Sequence, residues 1–251
     1  MKTLAIAVVG TASLVASADA GFLGFVALAK QSGANVIVDI YTAVGNSSDK
    51  FLNVYNLNAS TTAAGGFFQQ AGLATKTWKP DAANFNSTRN SVDSFMTAGT
   101  YSGAAYGGEY YASTNTNGDP NFTGTSWNAT PASAAATTIP ANAGWYTGDP
   151  TSVDNTAQLL APLSVGYTRF DSGANAGTGG SGTAQYGVWC SHLVLANATL
   201  ANFQICFGGS ASIKDGVTGA TSAGFNALCI PAPGAIALLG VGGIAVRRRR
   251  H

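Results

Sequence analysis

Between positions 35 and 44 the chain reads NVIVDIYTAV, with Val36, Val38 and Ile40 on one side of an extended backbone and Ile37, Asp39 and Tyr41 on the other. A second alternating stretch, KFLNVYNLN at 50–58, follows across the turn-forming residues 45–49 (GNSSD), and the pair predicts a hairpin. Runs rich in Val, Thr, Tyr and Phe recur at 91–97, 109–114, 158–171, 183–198, 202–207, 211–214 and 225–230. Such residues suit a pleated, half-buried surface. Nowhere between 21 and 229 does an apolar period near 3.6 persist with caps at its ends. Short strands separated by Gly- and Asn-rich turns predict an all-β domain, an antiparallel β-sandwich of jelly-roll-like type with long Gly/Asn/Thr-rich loops. Residues 112–154 are too long for a structureless loop and predict an ordered excursion with brief strands. The stretch 173–182, GANAGTGGSG, reads as a flexible loop, and no repeat of 20–50 residues is visible.

The two ends follow a different pattern. Lys2, the apolar run 4–15 and the small-x-small sequence Ala18-Asp19-Ala20 predict a secretory signal peptide cut before Gly21. The alternative is an uncleaved anchor that continues through the apolar residues 21–29. At the other end Pro231 and Pro233 interrupt regular structure, residues 234–246 form one apolar run, and Arg247, Arg248, Arg249 and Arg250 close it. A stable span needs about 20 apolar residues. This run has 13, with glycine at 240, 242 and 243, which predicts a transient signal over a retained anchor. The chain thus divides into a signal peptide at 1–20, a β domain at 21–229 and a sorting tail at 230–251.

The tail resembles the PEP-CTERM sorting signal of exported bacterial proteins. The matching parts are Pro231-Ala232-Pro233, in which Ala232 stands at the usual glutamate position, then Gly234, Ala237-Leu238-Leu239-Gly240 and the four arginines. The Pro-Ala-Pro-Gly form is similar to that of planctomycete-type exported proteins, as are NVIVDIYTAV at 35–44, DPNF at 119–122 and ASIKDG at 211–216. The resemblance implies export, processing by signal peptidase and an exosortase-like enzyme, and membrane contact that ends when the tail is trimmed. It also implies residence at the cell surface or in extracellular matrix, and no enzymatic activity.

Composition changes the picture once the ends are set aside. The whole chain carries a net +1, but residues 21–229 hold seven bases against ten acids, a net charge of about −3. Only 9% of residues are charged, against about 25% in ordinary soluble domains. No basic patch is available to neutralise phosphates, so nucleic acid is not an expected partner.

Candidate chemistry is sparse. His192 and His251 are the two histidines. His192 adjoins Ser191, but strand neighbours face opposite ways and cannot form a hydrolase dyad. Glu109, the single glutamate, would need a partner such as Asp119 to act as a glycosidase pair. No Cys/His cluster has zinc spacing. The loop acids Asp119, Asp149 and Asp154 are candidates for Ca²⁺ but lack a twelve-residue ligand loop, and no cofactor or metal is predicted. Cys190, Cys206 and Cys229 would follow the chain into an oxidising compartment. Three pairings are open; Cys190 with Cys206, on consecutive predicted strands, is the expected one. Cys229 would then be left for intermolecular linkage or buried inertly. Trp127, Trp145 and Tyr146, with Trp78, Tyr110 and Tyr111, could stack on sugars or simply build the core. Asn-x-Ser/Thr sites at Asn46, Asn58, Asn86, Asn121, Asn128 and Asn197 follow from composition. These features predict an exported, non-enzymatic surface or matrix protein that self-associates through β edges into oligomers or polymers. The alternatives are a carbohydrate-binding module for extracellular polysaccharide and, more distantly, a secreted hydrolase.

Overall fold

The apolar residues that follow Gly21 form a strand in the computed structural model of the chain, which describes residues 21–69, 78–80, 93–102, 110–122, 137–160, 166–171 and 186–230. Phe22–Ser32 (β1) turns through Gly33 and Ala34 and returns as Asn35–Val44 (β2), in antiparallel register from Ser32↔Asn35 to Phe22↔Val44. Gly33, at a φ of 58°, supplies the left-handed first position that such a two-residue hairpin requires. Residues 22–29 are therefore part of a sheet. Among the described residues no helix is long and apolar enough to cross a membrane.

The predicted antiparallel sandwich is what the described chain forms. In one sheet the order is Thr168–Asp171 (β10), β1, β2, Tyr186–Leu195 (β11) and Phe95–Met96 (β4), with Gln158–Leu159 (β9) also pairing β11. In the other it is Thr221–Ile230 (β13), Ile205–Lys214 (β12), Lys50–Thr61 (β3), Ala143–Thr147 (β8) and Thr116–Gly118 (β7). Thr100–Ser102 (β5) and Tyr110–Ala112 (β6) form a separate pair. The excursion at 112–154 contributes β7 and β8, while the loop at 173–182 lies outside the described residues.

The expected hairpin across 45–49 is not one. Both edges of β2 are taken by β1 and β11, and β3 pairs β12 and β8, so residues 45–49 carry the chain from one sheet to the other. Asp49 folds this crossing, since its buried carboxylate accepts the Asn46 amide at 3.1 Å and the Gly216 amide at 3.2 Å. From Ile205 onward, the runs at 202–207 and 211–214 belong to one strand, β12, which passes a register shift between Gly208 and Ser210.

Alternation assigns each face. Phe25, Val36, Val38, Ile40, Val54, Leu57 and Phe207 meet between the sheets. Aromatic rings connect this interior in series: Phe22–Phe25 and Phe25–Phe207 at 5.0 Å, Phe207–Trp145 at 6.4 Å, Trp145–Phe122 at 6.1 Å, Phe122–Trp78 at 6.4 Å and Trp78–Phe67 at 6.0 Å. Such contacts add to the area term of burial. A second cluster, which includes Val26, Leu28, Tyr41, Phe95, Tyr111, Leu160 and Trp189, covers the outer face of the first sheet. That is why both sides of β2 are apolar. The outer face of the second sheet is open, and β13 is exposed at every other residue through Cys229.

Candidate functional site

The cysteines correct the expected pairing. Cys190 sits on β11 in the first sheet and Cys206 on β12 in the second, so being consecutive in sequence does not make these strands neighbours. The β12–β13 register sets Cys206 opposite Cys229, with Cα atoms 4.1 Å apart, and these two form the disulfide. The unbridged thiol is Cys190, fully buried and directed at the Ile40 carbonyl at 3.3 Å. Burial pushes its pKa up, so the thiol stays protonated and is a poor nucleophile.

The aromatic candidates separate in the same way. Trp145 belongs to the interior, and its Nε1 donates to the Thr97 carbonyl at 2.9 Å. Trp78 and Tyr111 are buried as well, which removes all three as stacking platforms. Tyr146, the next residue along β8, faces outward at 44% exposure. Trp127 and Glu109 lie outside the described residues, as do Ala18, Ala20 and the tail from Pro231 to His251.

The loop acids serve local turns. Asp119 accepts the Asn121 amide at 2.9 Å, Asp149 accepts the Thr151 amide and hydroxyl, and Asp154 accepts the Ser113 hydroxyl at 3.4 Å. Among the described residues no three His, Cys, Asp or Glu side chains gather as a metal site.

His192 is buried on the outer face of the first sheet. It lies in a cross-strand row, Arg169–Leu28–Asp39–His192–Phe95, that spans β10, β1, β2, β11 and β4. Its Nδ1 is 2.5 Å from Asp39 Oδ1, and its ring stacks on Phe95 at 4.9 Å. Tyr167 also hydrogen-bonds Asp39. Burial, and then the Asp39 charge, push the Tyr167 phenol far up, so it remains a donor. Ser191 opposes Ile40 while His192 opposes Asp39, which puts them on opposite faces. The Asp39 partnership is a long-range contact, and an acid inside the apolar NVIVDIYTAV run is its only trace in the sequence.

Among the described residues, β13 is an exposed edge of the second sheet. It is an edge strand of ten residues, TSAGFNALCI, without a charge or a proline. A Cα separation of 4.1 Å at Cys206–Cys229 is that of a non-hydrogen-bonded antiparallel pair. The Asp215 amide donates to the Ala220 carbonyl at 2.8 Å, which fixes the same alternation from the turn end. Thr221, Ala223, Phe225, Ala227 and Cys229 therefore turn their backbone N–H and C=O groups away from β12. No strand among the described residues pairs with that edge. Their side chains are exposed too, led by Phe225 at 70%. The run at 225–230 predicts a strand, but the order of strands, which is what makes an edge, has no local signature. The uncharged run 221–230 is the signal that could have marked it.

The outer face beside this edge is largely polar. One row, Ala223–Ser212–Asn53–Tyr146–Asn117, crosses all five strands, and a second, Phe225–Ser210–Tyr55, runs next to it. No known family model, curated protein or solved structure matches the chain.

Proposed function

We propose that this protein is an exported, non-enzymatic component of the cell surface or extracellular matrix that assembles with copies of itself by strand addition at β13. The observation that carries this reading is the edge of β13, which has no strand partner among the described residues and exposes Phe225, while Phe22 of β1 packs beside Gly224 on its inner side. Monomeric β proteins blunt such edges with lysine, proline, bulges or covering loops. Over residues 221–230 none of the first two is present. Pairing there would satisfy five sets of backbone groups at once and remove an aromatic ring from water. The Cys206–Cys229 bridge holds the strand in place and fits an oxidising compartment. The signal peptide and the PEP-CTERM-like tail support delivery to that compartment through signal peptidase and an exosortase-like enzyme.

Sedimentation velocity on the exported protein tests the reading. Wild type should shift to larger species as concentration rises, and Phe225→Lys should remain a monomer with unchanged stability, because an exposed site costs at most about 0.5 kcal/mol. A wild type that stays monomeric at its highest soluble concentration contradicts it.

One observation favours a second reading. Tyr146, with Tyr55 diagonal to it and Asn53, Asn117 and Ser212 around it, forms an uncharged aromatic and amide surface of the kind that stacks and hydrogen-bonds neutral sugars. Glycan-array binding lost in Tyr146→Ala supports a polysaccharide-binding role; binding unchanged in that variant removes it.

A further inference from the structure

Three loops meet at one end of the sandwich: the sheet crossing at 45–49, the segment 148–157 and the β12–β13 turn at 215–220. Between them lies an open cleft of about 650 Å³, whose lining includes Ser48, Lys50, Thr151, Val153, Lys214 and Val217. That volume is in the range of small-molecule sites.

The cleft is built, not left over between loose loops. Asp49 ties the crossing to the turn through the Gly216 amide. A Cβ at Gly216 would fall 2.0 Å from the Ser48 carbonyl oxygen, so the two loops meet at a distance that only glycine permits. The third loop is fastened to the start of β3 by Phe51 N–Asn155 O and Ala157 N–Asp49 O, both at 2.9 Å.

Two lysines stand side by side in the lining of this cleft. Lys214 on β12 is directly opposite Lys50 on β3 in the sheet register. Like charges at directly opposed positions destabilise a sheet, and residues 21–229 contain only seven bases from which to make such a pair. The Lys50 ammonium is steadied by the Thr151 and Ser152 carbonyls at 2.9 and 3.1 Å. The Lys214 ammonium has neither an ion pair nor a hydrogen bond among the described residues. Asp215, the acid in the lining, accepts the amides of Val217 at 2.6 Å and Thr218 at 2.9 Å on its Oδ1. The Asp149 carboxyl on the third loop is held below its ordinary pKa by the Thr151 hydroxyl and amide and, less, by the Lys50 charge. The rim adds two exposed apolar side chains, Val153 at 81% and Val217 at 76%. Hydroxyls, a small apolar rim and two lysines in register form a lining suited to a sugar that carries an acid group.

We propose that this cleft binds an acidic saccharide, carboxylated or sulfated, whose anion bridges Lys50 and Lys214 while its ring lies against Val153 and Val217. Charge-assisted hydrogen bonds from the two ammonium groups would hold and orient the anion. This site is separate from the β13 edge and from the Tyr146 face, so it stands or falls without them.

Calorimetric titration of the exported protein with an oligogalacturonate, a sulfated oligosaccharide and a neutral gluco-oligosaccharide tests it. The acidic probes should bind with an affinity that falls as salt rises, and the neutral probe should bind at least about tenfold more weakly. Which acidic probe binds identifies the anion. Lys214→Gln should weaken binding by about tenfold or more. Val217→Asp, an exposed turn substitution that leaves the sheet intact, should do the same by repulsion. Phe225→Lys should leave binding unchanged, which separates this site from assembly. Equal binding of neutral and acidic probes, no binding of either acidic probe, or an affinity unmoved by both cleft variants overturns the proposal.

Discussion

Trp145 and Tyr146 are adjacent in β8 and face opposite ways, so one substitution type should have two outcomes. Trp145→Ala removes a ring that touches Phe122 and Phe207 and breaks the bond to the Thr97 carbonyl, a loss of about 3–5 kcal/mol. Tyr146→Ala, on the open face, should change stability by no more than about 0.5 kcal/mol. Urea unfolding of the two variants checks this, and equal losses would mean that the assigned face of β8 is wrong. Two acids at the loop end predict opposite pH slopes. Burial raises the Asp49 carboxyl from its ordinary 3.8, against the pull of the Gly216 and Asn46 amides. Its contribution to folding is therefore present below the ordinary value and lost as pH rises through the raised one. The Thr218 and Val217 amides hold Asp215 below 3.8, so its contribution is present above that value and lost as pH falls through the lowered one. The stability difference between wild type and Asp49→Asn should shrink as pH rises above about 4. The difference from Asp215→Asn should grow as pH rises towards about 4, and thermal melting over that range reads both.

At the scale of elements, the β12–β13 hairpin joins the disulfide to the open edge. The bridge closes a separation of 23 residues, and the double variant Cys206→Ala/Cys229→Ala should lose about 3 kcal/mol in denaturant unfolding. An equal loss in wild type under reducing conditions would tie the effect to the bond itself. The period-2 alternation at 35–44 and 50–58 located β2 and β3 well, because each strand buries apolar residues that the pattern exposes. The same pattern could not say which sheet each strand joins. A turn-rich GNSSD stretch fits a hairpin and a sheet crossing equally; what decides is that β11, about 140 residues away in sequence, occupies the free side of β2. The cysteine pairing failed for the same reason. The apolar start of β1 resembled the continuation of a signal segment, since a strand buried on both faces has no polar alternation to reveal it.

On the scale of the whole molecule, the charge asymmetry lies at the ends and the interaction surfaces lie in the middle. The lysine cleft and the Asp39–His192 pair had little local signature, because each joins residues distant in sequence. Mass spectrometry of the protein from its native setting should find Gly21 as the first residue and no residues from the apolar tail run at 234–246. Retention of that run would contradict the processing account. The central claim is that the edge of β13 is a pairing surface, and amide hydrogen exchange tests it most directly. In dilute protein the amides of Thr221, Ala223, Phe225, Ala227 and Cys229 should exchange quickly, while those of the alternate residues, bonded to β12, are protected. As concentration rises, the fast set should become protected together with the appearance of larger species. Assembly that leaves these five amides unprotected, or no gain in protection at any concentration, would contradict it.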